Sequence, residues 1–87
     1  MARSRLEVSL SLLEACVEPV CIMEVMRQGG IWSQQKEMIW ALIEGGLIRK
    51  TPAEKDERHI AFVYECTERG QRVLDHWSSV RAAIKLN

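Results

Sequence analysis

Between positions 33 and 37, Ser33, Gln34, Lys36 and Glu37 place a hydroxyl, a carboxamide, an ammonium and a carboxylate close together. That set suits hydrogen bonding rather than bond breaking. A Gln amide can bridge N6 and N7 of adenine, Glu can accept from cytosine N4, Ser reads a base edge with little discrimination, and Lys pairs with phosphate. Cys16, Cys21 and Cys66, with His59 or His76 as a further ligand, raise metal or redox chemistry. Zinc ligands come in close pairs such as C-x-x-C, and a single C-x4-C pair is a poor match. Cys16 falls inside an apolar pattern and Cys66 on the inward side of a strand pattern, so packing as small hydrophobes is the expectation. His76, one residue before Trp77, reads as a rim residue. The sequence has no nucleophile and base pair, glycine-rich phosphate loop or carboxylate cluster at a catalytic spacing. No enzyme activity, metal, cofactor or small-molecule substrate is therefore expected.

The elements that must position the polar cluster follow from periodicity and punctuation. From Gly29 to Lys50 the chain reads as a turn, a helix of about three turns, a glycine stop and the start of a strand. Trp32, Gln35 or Lys36, Ile39, Leu42 and Ile43 share one face of that helix. Ser33, Gln34, Glu37 and Ala41 lie opposite, with Lys36, Met38 and Trp40 at the edges, and Trp40 is expected to be partly covered by the first helix. Upstream, Ser4 and Glu7 form a capping-box pattern. Leu6, Leu10, Leu13 and Val17, flanked by Val8, Leu12 and Cys16, give the first helix its apolar face. Pro19 ends that helix and suits the first turn of a second, Val20 to Gln28, with Ile22, Met23 and Met26 turned inward.

Downstream, Gly45 and Gly46 stop the central helix. Leu47 to Thr51 reads as a strand, Pro52 to Arg58 as a polar loop and His59 to Cys66 as a second strand, with Ile60, Phe62, Tyr64 and Cys66 alternating with Ala61, Val63 and Glu65. Thr67 is a suitable N-cap for a last helix. On it Val73, Trp77, Val80 and Ile84 step by four, three and four, the spacing of a coiled-coil seam about two heptads long.

The chain has 87 residues, 47% of them hydrophobic and 28% charged, with a formal net charge of zero. This fits one small ordered domain with a modest core, for which an oligomer adds stability. Zero net charge weakens general attraction to phosphates, although a neutral total can hide a basic face. The start of the chain lacks the pattern of a signal peptide, and no apolar run is long enough to span a bilayer. A cytoplasmic setting is expected. There the three cysteines, an odd number, stay reduced.

Three helices, a two-stranded hairpin of the kind called a wing, and a long final helix make an α+β, mostly helical fold: a winged helix-turn-helix domain over 1–66 and a dimerisation helix over 67–87. With R-S-R-L-E at Arg3 to Glu7, L-E-A-C at Leu13 to Cys16, I-M at Ile22 and Met23, L-I-E-G-G-L-I from Leu42 to Ile48 and T-E-R-G at Thr67 to Gly70, the sequence resembles the archaeal ArnR-like winged helix-turn-helix family. That family includes small dimeric DNA-binding proteins of archaeal chromatin. The resemblance covers almost the whole chain and implies a homodimer held by antiparallel C-terminal helices, with two heads that touch duplex DNA and no catalysis. Family members place Ser or Thr where this chain has Ile31, so the cap of the central helix is lost or shifted to Ser33.

The expectation is thus a cytoplasmic, nucleoid-associated transcription regulator. Ser33, Gln34 and Glu37 approach base edges, and Lys36, Lys55 and Arg58 take phosphates, joined by Arg3, Arg5, Arg49 and Lys50. Val73, Trp77, Val80 and Ile84 form the dimer interface. The alternative is a winged helix turned protein-binding module, which fits the zero net charge, the acidic residues Glu54, Asp56 and Glu57 of the wing, and Trp40 near the reading face.

Overall fold

A computed structural model describes residues 4–32, 35–54 and 60–84. Among them the order is α1 (Arg5–Ala15), α2 (Ile22–Gly29), α3 (Glu37–Glu44), β1 (Ile48–Glu54), β2 (Ile60–Cys66) and α4 (Glu68–Ile84). At the start of α1 the Glu7 backbone N–H donates to Ser4 Oγ at 3.1 Å and the Ser4 hydroxyl donates to the Glu7 carboxylate at 3.3 Å. The capping-box residues therefore meet as expected, with the second bond made between side chains.

The second helix begins later than the sequence suggests. Val20 does not enter it. Its N–H donates to the Tyr64 carbonyl at 3.1 Å and its carbonyl accepts from the Tyr64 N–H at 2.8 Å, an isolated antiparallel bridge. A β-branched residue following proline is well suited to this extended geometry, and the bridge satisfies both of its backbone groups. Within α2, Val25 is the fully buried residue and Ile22 and Met26 are half-buried, while Met23 is 73% exposed and not inward as expected.

Both helices of the helix-turn-helix end by the same device. Gly30 has φ 67° and Gly46 φ 74°, a conformation that costs a side-chain-bearing residue but not glycine. After α2 the Gly30 N–H donates to the Arg27 carbonyl and the Ile31 N–H to that of Met26, at 3.3 and 3.1 Å. After α3 the Gly46 N–H donates to Ile43 and the Leu47 N–H to Leu42, at 3.0 and 2.9 Å. These are paired Schellman bonds, and the motif calls for a hydrophobic residue after the glycine. Ile31 is buried and Leu47 packs against the core. Ile31 thus completes the stop of α2 at the position where the family resemblance places a cap for α3.

The central helix is shorter than expected, eight residues, or about two turns. Ahead of it, the Gln35 N–H donates to the Trp32 carbonyl at 2.8 Å and the Trp32 N–H donates back to Gln35 Oε1 at 3.0 Å. Trp32 therefore sits in a turn, out of phase with Ile39, and is 76% exposed rather than buried. Lys36 occupies the N-cap position and makes no side-chain capping bond. Met38, expected at an edge, is buried with Ile39 and Leu42.

The two strands pair antiparallel, from Ile48 with Cys66 to Glu54 with Ile60. β1 runs three residues past the expected end at Thr51, through Pro52. Because Tyr64 directs both backbone groups to Val20, Lys50–Tyr64 is a non-hydrogen-bonded pair of the ladder, and so, two residues along, is Pro52–Phe62. The Pro52 nitrogen then faces the open edge, where no donor is required. At the far end, the Thr67 hydroxyl accepts from the Gly70 N–H at 3.0 Å and donates to the Gly46 carbonyl at 2.6 Å. It caps α4 and fastens it to the end of α3.

The core is built on Leu12, Leu13, Cys16, Val25, Ile39 and Ile48, all essentially inaccessible. Val73, Leu74 and Trp77 of α4 pack against it. The first half of α4 is therefore part of the same core, whereas its end is open, with Ile84 58% exposed.

Candidate nucleic-acid interface

With Met38, Ile39 and Leu42 turned inward, α3 leaves Glu37, Trp40, Ala41 and Glu44 on its open side, with Lys36 half-buried at its start. The hairpin lies beside this surface. The Trp40 and Tyr64 rings are tilted at 42° with centroids 6.4 Å apart. The hairpin therefore covers part of Trp40. Lys50 completes the junction, its Nζ lying 4.2 Å from the Phe62 ring centroid and 5.5 Å from that of Trp40, within reach of a cation–π attraction.

Lys36, Glu37 and Lys50 thus lie on α3 and the adjoining strand. Arg49 does not join Lys50. One residue along a strand reverses the side, and Arg49 pairs across the ladder with Glu65, its Nε and guanidinium NH2 2.9 and 2.7 Å from the same carboxylate oxygen. Arg5 is exposed on α1. Ser33, Gln34, Lys55, Arg58 and Arg3, assigned from sequence to base or phosphate contacts, lie outside the described residues. Phe62 was missed by sequence reasoning. The signal was present in the alternation that sets it beside Tyr64, but its position next to Lys50 depends on the register across the hairpin.

Behind α3, α2 carries a local charge network. The Glu24 carboxylate accepts from Arg27 and from Gln28, the latter at 2.9 Å, and these bonds, Arg27's first, hold its pKa down to about 2. The thiols behave differently. Burial, with a smaller effect from Cys66, pushes Cys16 up to about 12, and burial also raises Cys66 and the Tyr64 phenol. Such thiols are poor nucleophiles and poor metal ligands at neutral pH. Cys21 is exposed, and no group of three metal-ligating side chains forms among the described residues. His76 is exposed, its ring edge-on to Trp77 at 6.0 Å.

The expected seam divides in two. Val73 and Trp77 lean on the core, while Trp77, Val80 and Ile84, with Leu6 and Leu10 of α1, line an open apolar groove of about 330 Å³. Leu6 and Val17, read as core from their spacing, are exposed. No helix among the described residues is long and apolar enough to cross a membrane.

No family model matches the chain, and comparison with curated proteins finds no match in sequence. Solved structures do match in shape. The chain superposes on Sso10a-2, a DNA-binding protein from Sulfolobus solfataricus, with a TM-score of 0.71 and 20% identity over 95% of this chain and 86% of that one. It superposes on a PadR family transcriptional regulator from Eggerthella lenta with a TM-score of 0.70 and 18% identity, covering 92% and 72% of the two chains. A PadR-like transcription factor from Bacteroides fragilis gives a TM-score of 0.69 and 14% identity over 92% and 82%. At these identities the likeness is one of fold. The chain is a winged helix, α+β and mostly helical, as expected from its pattern of elements.

Proposed function

We propose that the protein is a non-enzymatic transcription regulator that binds duplex DNA as a homodimer through α3 and the hairpin. The observation that carries this reading is the division of α3. Its apolar side is locked by Met38, Ile39 and Leu42 into the core, and its other side, with Glu37 exposed and Lys36 half-buried at its start, faces out where Lys50 of the hairpin rests over Trp40. A helix held in this way can enter a major groove while a neighbouring hairpin touches the backbone. Ser33 and Gln34 extend the base-reading set, and Lys55 and Arg58 the phosphate-binding set. The likeness to Sso10a-2, itself a DNA-binding protein, and to PadR regulators supports this assignment, as does the resemblance of the sequence to the archaeal ArnR-like family. A cytoplasmic, nucleoid-associated location goes with it.

The dimer is held along the open groove of Leu6, Trp77, Val80 and Ile84, where a second copy would cover apolar surface that one chain leaves in water. A second reading, a protein-binding module, is favoured by Trp32 and Met23, large apolar side chains exposed on and just after α2. Titration of the protein into labelled duplex at two salt concentrations separates the two. Submicromolar binding that weakens steeply with salt supports the regulator, and no binding at low salt supports the module.

A further inference from the structure

The junction of α3 with the hairpin carries two part-exposed aromatic rings and one cation in a defined arrangement. Trp40 is 39% and Phe62 41% exposed. Between them the Lys50 ammonium rests on ring faces, and among the described residues no carboxylate pairs with it. We propose that Trp40, Lys50 and Phe62 form a site for unpaired nucleobases. A base stacks on one of the rings while its phosphate draws the ammonium aside, so this face takes single-stranded or locally opened DNA in preference to intact duplex.

Three observations lead there. First, aromatic side chains recognise bases through their faces, and a duplex presents only base edges because its faces are stacked inside. Second, a cation parked on rings is easily released. Moving Lys50 onto a phosphate breaks no ion pair with a described residue and uncovers the ring face that the base needs. Third, general phosphate attraction is weak here: the chain has no net charge, and Glu37 and Glu44 are exposed on the same side of α3 as Trp40. Stacking falls less with salt than counterion release does, so it can supply affinity that electrostatics do not.

The inference rests on the reading of this face as one that meets DNA, and its test keeps the two apart. Fluorescence anisotropy would follow binding of the full chain to a matched duplex, to the same duplex with an internal mismatched bubble, and to one of its single strands. The expected result is binding to the bubble and the single strand roughly ten-fold tighter than to the duplex. Trp40→Leu and Phe62→Leu, which keep apolar bulk and remove the ring, should each abolish most of that preference while the circular dichroism spectrum and a cooperative melt are retained. Equal affinity for bubble and duplex overturns the inference and leaves the regulator reading standing, as does a preference that survives both substitutions. Preference for the single strand without duplex binding supports the inference and removes the duplex reading. No binding to any of the three at low salt overturns both.

Discussion

The backbone N–H of Cys66 donates to the carbonyl of Cys16 at 2.7 Å, joining the end of β2 to the end of α1. Both thiols lie against the same interior, and both are held in the neutral form. Cys16, pushed up to about 12 from an ordinary 9.0, has a folded pKa above its unfolded one. Its contribution to stability is full below about pH 9 and is lost as pH rises toward 12. Raised values for Cys66 and Tyr64 act in the same direction. Urea midpoints should therefore hold level through neutral pH and fall above about pH 9, and a thiol reagent at neutral pH should label exposed Cys21 long before Cys16. Fast labelling of Cys16 in the folded protein would contradict this placement.

Thr67 joins the start of α4 to the end of α3 through one hydroxyl, so Thr67→Ala removes both a helix cap and the bond to Gly46. A loss of about 1–2 kcal/mol is expected. Ser4→Ala, at an exposed helix end, should cost about 0.5 kcal/mol. Thermal melts would resolve the difference, since 1 kcal/mol moves the midpoint of so small a domain by about 4–8 °C.

Gly70 is fixed by space. A Cβ there would run into the Leu47 carbonyl and lie 2.6 Å from Cys66 Sγ, and Leu47 at that point is backbone, which cannot swing aside. Gly70→Ala should destabilise by about 1–3 kcal/mol or more, although alanine is the better helix former. At Gly29 the added carbon meets the end of the Leu12 side chain, which yields more readily than backbone even in a packed core, so Gly29→Ala should cost less.

The open half of the seam can be tested without disturbing the core. Val80→Glu and Ile84→Glu should convert dimers to monomers in sedimentation while leaving the melt of the monomer little changed. They should also weaken DNA binding more than ten-fold by removing the second head. Trp77→Glu should lower thermal stability as well, because Trp77 packs against its own core. A wild-type protein that sediments as a monomer at high concentration would end the dimer proposal.

On α3 and β1, neutralising a lysine that meets phosphate should reduce the slope of log affinity against log salt by about 1. Lys36→Gln and Lys50→Gln are expected to do so. Arg49→Gln, already paired with Glu65 on the other side of the hairpin, should have a smaller effect. Equal effects from all three would show that the faces are misassigned.

Punctuation residues made most of the fold legible. Ser4, Thr67, Pro19 and the two Gly-Gly pairs mark boundaries by local chemistry that needs no knowledge of the rest of the chain. What escaped depends on distant partners. Val20 leaves the helix because Tyr64, forty-four positions on, offers both backbone groups. Trp32 is exposed because the turn closed by Gln35 shifts the phase of the helix after it. Of the site, the polar side of α3 could be read from spacing, whereas the meeting of Lys50 with Phe62 and the separation of Arg49 from Lys50 follow from strand register, which a single sequence does not encode locally.

The bridge between Val20 and Tyr64 has a further consequence. Together with the bond from Cys66 to Cys16 it stitches the root of the hairpin, through main-chain atoms alone, to the segment leading into α2. The root of the hairpin is accordingly held against α1 and the approach to α2 by bonds that no surface side chain belongs to. Outward-facing side chains of the hairpin can therefore be exchanged, by evolution or by a protein engineer, to alter what is gripped while its root keeps its anchorage.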